Sequence, residues 1–104
     1  MIRILKSCER ELKDFPEDVK GDIADALARL EVGQHLSMPL SRPMPSIGHR
    51  VHELRLRDMA GIYRVVYFIE SMGQIILLRA FKKTSQFTPS HNIALAKKRL
   101  KELV

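Results

Sequence analysis

The chain of 104 residues has a single cysteine, Cys8. One cysteine cannot close an internal disulfide, so the fold is not that of a stapled secreted scaffold. No stretch approaches the ~18 apolar residues needed to cross a bilayer. The opening MIRILKSCERELKD also lacks the apolar centre of a secretion signal. These absences lead us to expect a cytoplasmic protein with no membrane partner. A glycine-rich phosphate loop, a nucleophile elbow and a paired-carboxylate motif are missing too, so no cofactor is expected. Nor do the four histidines, His35, His49, His52 and His91, make a metal site. Only His49 and His52 are close in sequence, at a loop-to-strand junction without the companion ligands that zinc requires. Internal repeats and low-complexity segments are lacking as well.

What is present is ordinary in bulk, with 45% hydrophobic and 29% charged residues, and this composition excludes a wholly disordered chain. We expect one small domain over residues 1–104, long enough to bury roughly two-thirds of its unfolded surface. The net charge of +6 is unevenly placed. Residues 1–34 carry six basic and eight acidic side chains, a net of −2, while residues 35–104 carry twelve basic and four acidic, a net of +8. A basic excess concentrated on one portion favours a polyanionic partner over mere solubility, without saying which polyanion.

Local pattern divides the chain into elements. Ile2 to Lys6 reads as a short strand, and Ser7 as the cap of a helix from Cys8 to Phe15. Asp14 and then Pro16 start a second helix, in which Val19, Ile23, Ala26, Leu27 and Leu30 recur at three- and four-residue spacing and Gly33 is the stop. Gly33 to Gly48, with Pro39, Pro43 and Pro45, reads as a loop, because proline has no amide to give a ladder. Three strands follow, at about Val51 to Arg57, Ile62 to Ile69 and Ile75 to Phe81. Their connectors are short enough for hairpins, so an antiparallel meander is predicted. Thr88 reads as the cap of a last helix with Pro89 in its first turn and a stripe of Ile93, Ala96, Leu100 and Leu103. Lys97, Lys98, Arg99 and Lys101 are expected mostly on its outer side. The order βααβββα predicts an α+β domain with its helices on one face of the sheet.

Cations interrupt the strands. Arg55, Arg57, Arg64, Arg79, Lys82 and Lys83 lie among runs of Val, Ile, Leu, Tyr and Phe. Side chains on neighbouring antiparallel strands can converge on one patch, and arginines so held suit phosphate.

The element order, with VHELR, GIYRVVY and IILLRAFKKT followed by a Thr-Pro helix start, resembles the HigB toxins of the RelE/ParE superfamily of bacterial toxin–antitoxin systems. LKDFPEDVK and ALARLEVGQ fit the same pattern nearer the N-terminus. The resemblance implies a RelE-like fold, cleavage of messenger RNA on the translating ribosome, and silencing by a cognate antitoxin of helix-turn-helix type. It places Arg64 on the strand that contacts the scissile phosphate, with Arg79, Lys82 and Lys83 approaching the same nucleotide. Arg79 stands where the family commonly carries histidine, and arginine is a poor proton donor at neutral pH.

Each of these residues also has a plainer reading. Arg64 could be a salt-bridge partner of Glu53 or Asp58. Glu53 could be a base toward the ribose 2′-hydroxyl or the group that holds Arg55 or Arg64 in position; a crowd of arginines favours the second. Arg55 and Arg57 share the pleat face of Glu53 and are candidates for backbone contact, as are Lys97 and Lys98 on the last helix. Phe81 and Phe87 could stack on an RNA base or fill the core. Two other activities compete with cleavage: binding of DNA gyrase in the manner of ParE, and antitoxin binding by a catalytically silent relative.

Overall fold

Short connectors and β-branched runs produce the meander that the pattern predicts. The Asp58 carboxylate accepts from the amides of Ala60 (2.8 Å) and Gly61 (2.9 Å), a side-chain turn that reverses the chain between the first two long strands. The computed structural model describes residues 1–83 and 88–103. Its elements are β1 (Ile2–Ile4), α1 (Lys6–Leu12), α2 (Glu17–Glu31), β2 (Ser41–Pro43), β3 (Val51–Arg57), β4 (Ile62–Ile69), β5 (Ile75–Lys83) and α3 (Ser90–Leu103). They form one sheet in the order β1-β5-β4-β3-β2, with β1 parallel to β5 and the other neighbours antiparallel. The fold is the expected α+β meander with an N-terminal strand and helices and a C-terminal helix. None of the described helices is long and apolar enough to cross a membrane.

Several details differ from expectation, among them the bounds of α1, expected at Cys8 to Phe15 and found at Lys6–Leu12. A strand, β2, forms within the proline-rich stretch, and Pro43 pairs with His52. It is an edge strand, where half of the amides face away from the ladder and a missing one is tolerated. The helices cover both faces of the sheet instead of one. The stripe Val19, Ile23, Ala26, Leu27 and Leu30 of α2 is buried as predicted, and joins Cys8, Leu54, Leu56, Tyr63, Val65 and Leu77 in one core. Ala96 of α3 packs on the other face with Val51, Val66, Ile76, Leu78 and Phe81, beside half-buried Ile93, Leu100 and Leu103. Because β4 is covered on both sides, Tyr63 to Tyr67 are all buried. Ser7 does not cap α1, whose N-cap is Leu5 with no side-chain bond. Thr88 does not cap α3; its hydroxyl goes to Glu53.

Two glycines sit where a side chain would meet a constraint. Gly33 ends α2 at φ 89°, in the left-handed region, and its amide returns to the Leu30 carbonyl at 3.0 Å. Gly48 lies under α3, where a Cβ would come within 2.8 Å of Leu100 Cδ2.

The free side of β5 is closed in an unusual way. β1 pairs only with Ile75 to Leu77, and at that point the register of β5 against β4 slips, Val66 pairing with Arg79 and Tyr67 with Leu77. Beyond Leu77 side chains replace the strand. Glu11 Oε1 accepts from the Ala80 amide at 3.1 Å, and Arg99 Nη1 donates to the Leu78 carbonyl at 2.7 Å. Arg99 also holds both Glu11 oxygens at 2.9 Å, Arg79 bonds Glu11, and Arg79 Nε donates to Asn92 Oδ1 at 2.9 Å. Arg99 therefore faces inward, against the expectation of a solvated helix face, because an unpaired strand edge needs polar partners.

Burial opposes ionisation of Glu11, but the bonds from Arg99, the Ala80 amide and Arg79 outweigh it and hold its carboxyl below the usual carboxylate range. This contribution to stability is therefore full above the unfolded-state pKa and is lost as pH falls through the lower folded value. Glu11→Gln should cost about 2–4 kcal/mol near neutral pH, somewhat under a fully buried pair. The gap between wild-type and variant urea midpoints should close in acid, and equal midpoints at pH 7 would contradict the assigned role.

Candidate functional site

Glu53 is fully buried, which for a carboxylate demands cations and donors around it. Arg42 of β2 donates from Nε to Oε1 at 3.2 Å, and the Thr88 hydroxyl donates to Oε2 at 2.7 Å. Arg42 Nη2 donates in turn to Thr88 Oγ1 at 3.3 Å, closing a ring between β2, β3 and the start of α3. Arg64 Nε lies 3.5 Å from Oε1, an ion pair, while its Nη1 donates to the Tyr63 carbonyl at 3.0 Å. Asp58, the other partner considered for Arg64, is used in the turn. Glu53 is thus committed as an anchor, the role that a crowd of arginines favours.

Arg64 pairs with Arg55 across β3 and β4, and with Phe81 across β4 and β5, so these side chains share the α3 face. Arg64 is only 5% exposed, yet Nε of both Arg64 and Arg55 is buried with no hydrogen-bond acceptor among the described residues. Burial, followed by Arg55, Arg42 and Arg57, pushes Arg64 below the usual arginine range, against the pull of Glu53. Arg55 Nη1 donates to the Met38 sulfur at 3.1 Å. These groups line a hollow of about 370 Å³ with Pro39, Leu40, Leu56 and exposed Arg57. Lys83 is 4% exposed and on the same face, since it pairs with Ile62 two residues before Arg64.

The other candidates lie elsewhere. Arg79 shares the α3 face with Arg64, but Glu11 and Asn92 draw it to the far edge of the sheet. There it lines a separate depression of about 540 Å³ with Tyr63, Phe81 and Lys82. The expected shared hollow of Arg64 and Arg79 therefore does not form. Lys82 points to the opposite face, with Nζ 5.8 Å from the Tyr63 ring centroid. Phe81 is 6% exposed in the α3 core, which leaves no ring face for a base. Lys97 and Lys98 are exposed on α3. Phe87 lies outside the described residues.

The remaining reactive groups do not join the cluster. Burial, then Glu11, pushes the Cys8 thiol up to about 12, so it is no nucleophile. His52 stacks on Tyr67, 5.4 Å between ring centroids, on the other side of the sheet. Among the described residues no three His, Cys, Asp or Glu side chains are grouped to hold a metal. Arg42 and Thr88 were not anticipated from the sequence. Arg42 sits in a three-residue strand too short to show alternation, and a Thr-Pro pair reads first as a helix cap.

The family model described as phage derived protein Gp49-like (DUF891) matches residues 10–101. The chain belongs to the Gp49-like family. No curated protein matches this Gp49-like chain. Among solved structures it is similar to one from the intact E. coli RelBE toxin–antitoxin complex, at 15% identity and TM-score 0.62, covering 82% of this chain and 98% of that one. It is likewise similar to an arginine-to-alanine double mutant of the E. coli toxin RelE in the free state, at 13% identity and TM-score 0.65, covering 100% and 97%. At these identities the likeness is one of fold, and the Gp49-like chain has the RelE fold.

An anion entering the hollow would meet the positive charge of Arg55, Arg57 and Arg64, which line it, and should stabilise the native state. Sulfate at ten times its dissociation constant should add about 1.4 kcal/mol, seen as a raised melting temperature. Arg64→Gln should lose most of that rise; an unchanged rise would put the anion elsewhere.

Proposed function

We propose that this protein is the toxin of a bacterial type II toxin–antitoxin system, of the HigB kind, and that it cleaves messenger RNA on the ribosome. The observation that carries this reading is the Arg64 hollow: a buried guanidinium on the central strand, in a hollow that it lines together with Arg55 and Arg57. Guanidinium groups also stabilise the charge that gathers on phosphate oxygens during transesterification. The attacking nucleophile belongs to the substrate, the ribose 2′-hydroxyl, so no metal or cofactor need supply one.

The RelE fold supports the reading, since a chain of that fold occurs in a toxin–antitoxin complex. A cognate antitoxin is therefore the proposed partner, of helix-turn-helix type by resemblance to HigB systems, and messenger RNA on the ribosome is the proposed substrate. The ribosome would position the RNA, because Glu53 is occupied as an anchor and cannot serve as a base.

Induced expression in bacteria should arrest growth and generate cuts in messenger RNA mapped by primer extension. Arg64→Ala should lower cleavage by about 10²–10³-fold, the usual cost of one transition-state donor. Arg55→Ala should weaken it less, and circular dichroism should report a folded chain in both. Full toxicity of Arg64→Ala at equal expression would remove the active site from this hollow.

A further inference from the structure

The hollow beside Arg64 owes its shape to the shortness of β2. β3 runs on to Arg57, whereas β2 begins at Ser41, opposite Leu54. Beyond Leu54 that edge of β3 has no strand beside it among the described residues. Side chains from both pleat faces therefore border the hollow, Arg55 and Arg57 from one and Leu56 from the other. Across from them is the turn that leads into β2, residues 37–41. The Ser37 carbonyl accepts from the amides of Leu40 and Ser41, each at 3.1 Å, and the Leu40 carbonyl accepts from the Arg55 amide at 2.7 Å. Leu36, just before the turn, is buried, and the Ser41 hydroxyl at its other end lies 2.7 Å from the Tyr67 hydroxyl. Pro39 and Leu40 thus line the hollow from a turn that is tied to the core and to the neighbouring strand.

The two sides of the hollow differ in chemistry. Arg55, Arg57 and Arg64 supply charge, and among the described residues they are its only hydrogen-bonding side chains; Pro39, Leu40 and Leu56 supply apolar surface. Its volume of about 370 Å³ is many times the roughly 30 Å³ share of one water and falls among the roughly 300–1,000 Å³ of sites that enclose a small organic molecule. A bare phosphate would leave the apolar side wet. The larger depression beside Arg79 is lined by the carboxylates of Glu11 and Asp14, which repel phosphate. We infer that the Arg64 hollow takes a whole nucleotide, its phosphate on the arginines and its base against Pro39 and Leu40, so that the turn of residues 37–41 is the wall that selects the base. The inference rests on the anion-holding role that the ribonuclease reading gives the hollow, and adds which part of the chain meets the base. Apolar side chains offer a base no hydrogen-bonding edge, so they discriminate by the area they cover. A purine gains more than a pyrimidine, and a ribose phosphate without a base gains nothing.

The test is calorimetric titration of the protein with AMP, UMP and ribose 5-phosphate. AMP should bind about 5–10-fold more tightly than ribose 5-phosphate, with UMP between them. Pro39→Ser, on the surface, and Leu40→Ala should each lower the ratio of AMP to ribose 5-phosphate affinity to about 2 or less. Arg64→Gln should weaken both ligands by similar factors. Equal affinity of the wild type for AMP and ribose 5-phosphate would overturn the inference, as would failure of all three ligands to bind, and no variant need fold for either result. A ratio that neither Pro39→Ser nor Leu40→Ala lowers, or AMP binding untouched by Arg64→Gln, would put the nucleotide elsewhere and overturn it too. If AMP binds as stated while induced expression leaves messenger RNA uncut, the nucleotide site stands and the ribonuclease reading falls.

Discussion

A carboxylate cannot remain charged inside a protein unless cations and donors surround it, and Glu53 is fully buried on the middle of the sheet. The requirement organises everything nearby. Arg42 is drawn in from the edge strand, Thr88 from the approach to α3, and Arg64 from the neighbouring strand. One negative charge thereby fixes three elements and leaves an excess of positive charge, since among the described residues Arg55 and Arg57 have no carboxylate partner. Glu53 holds the arginines close enough to repel one another, and under the proposed function a bound phosphate would relieve that repulsion.

A second carboxylate, Glu11, does comparable work at the opposite edge. Where β1 ends, the backbone of β5 would be left with unpaired polar groups, and Glu11 and Arg99 satisfy them directly. The same residues tie α1 to α3 across that edge. Arg79 is absorbed into this network, which is why a cation on the correct face is lost to the hollow. Two acid-centred clusters on one sheet thus divide the cations of the basic half between holding the fold together and presenting charge.

Much of the fold was legible in the sequence. Apolar runs and short connectors placed the strands Val51 to Arg57 and Ile62 to Ile69 at their observed bounds, the stripe of α2 was read residue by residue, and Gly33 marked its end. Arg55, Arg57 and Glu53 could be put on one face because a strand's side chains alternate without exception when the ladder is regular. Tertiary structure decided the rest. Strict alternation along β5 would have put Arg79, Phe81 and Lys83 with Ile75 and Leu77, on the face of α1 and α2. The slipped register at Leu78 turns those three residues onto the α3 face, bringing Lys83 to the side of Arg64 and sending Lys82 away. A bulge reverses every side chain beyond it, and its position depends on where β1 stops pairing and where Glu11 and Arg99 arrive from distant helices.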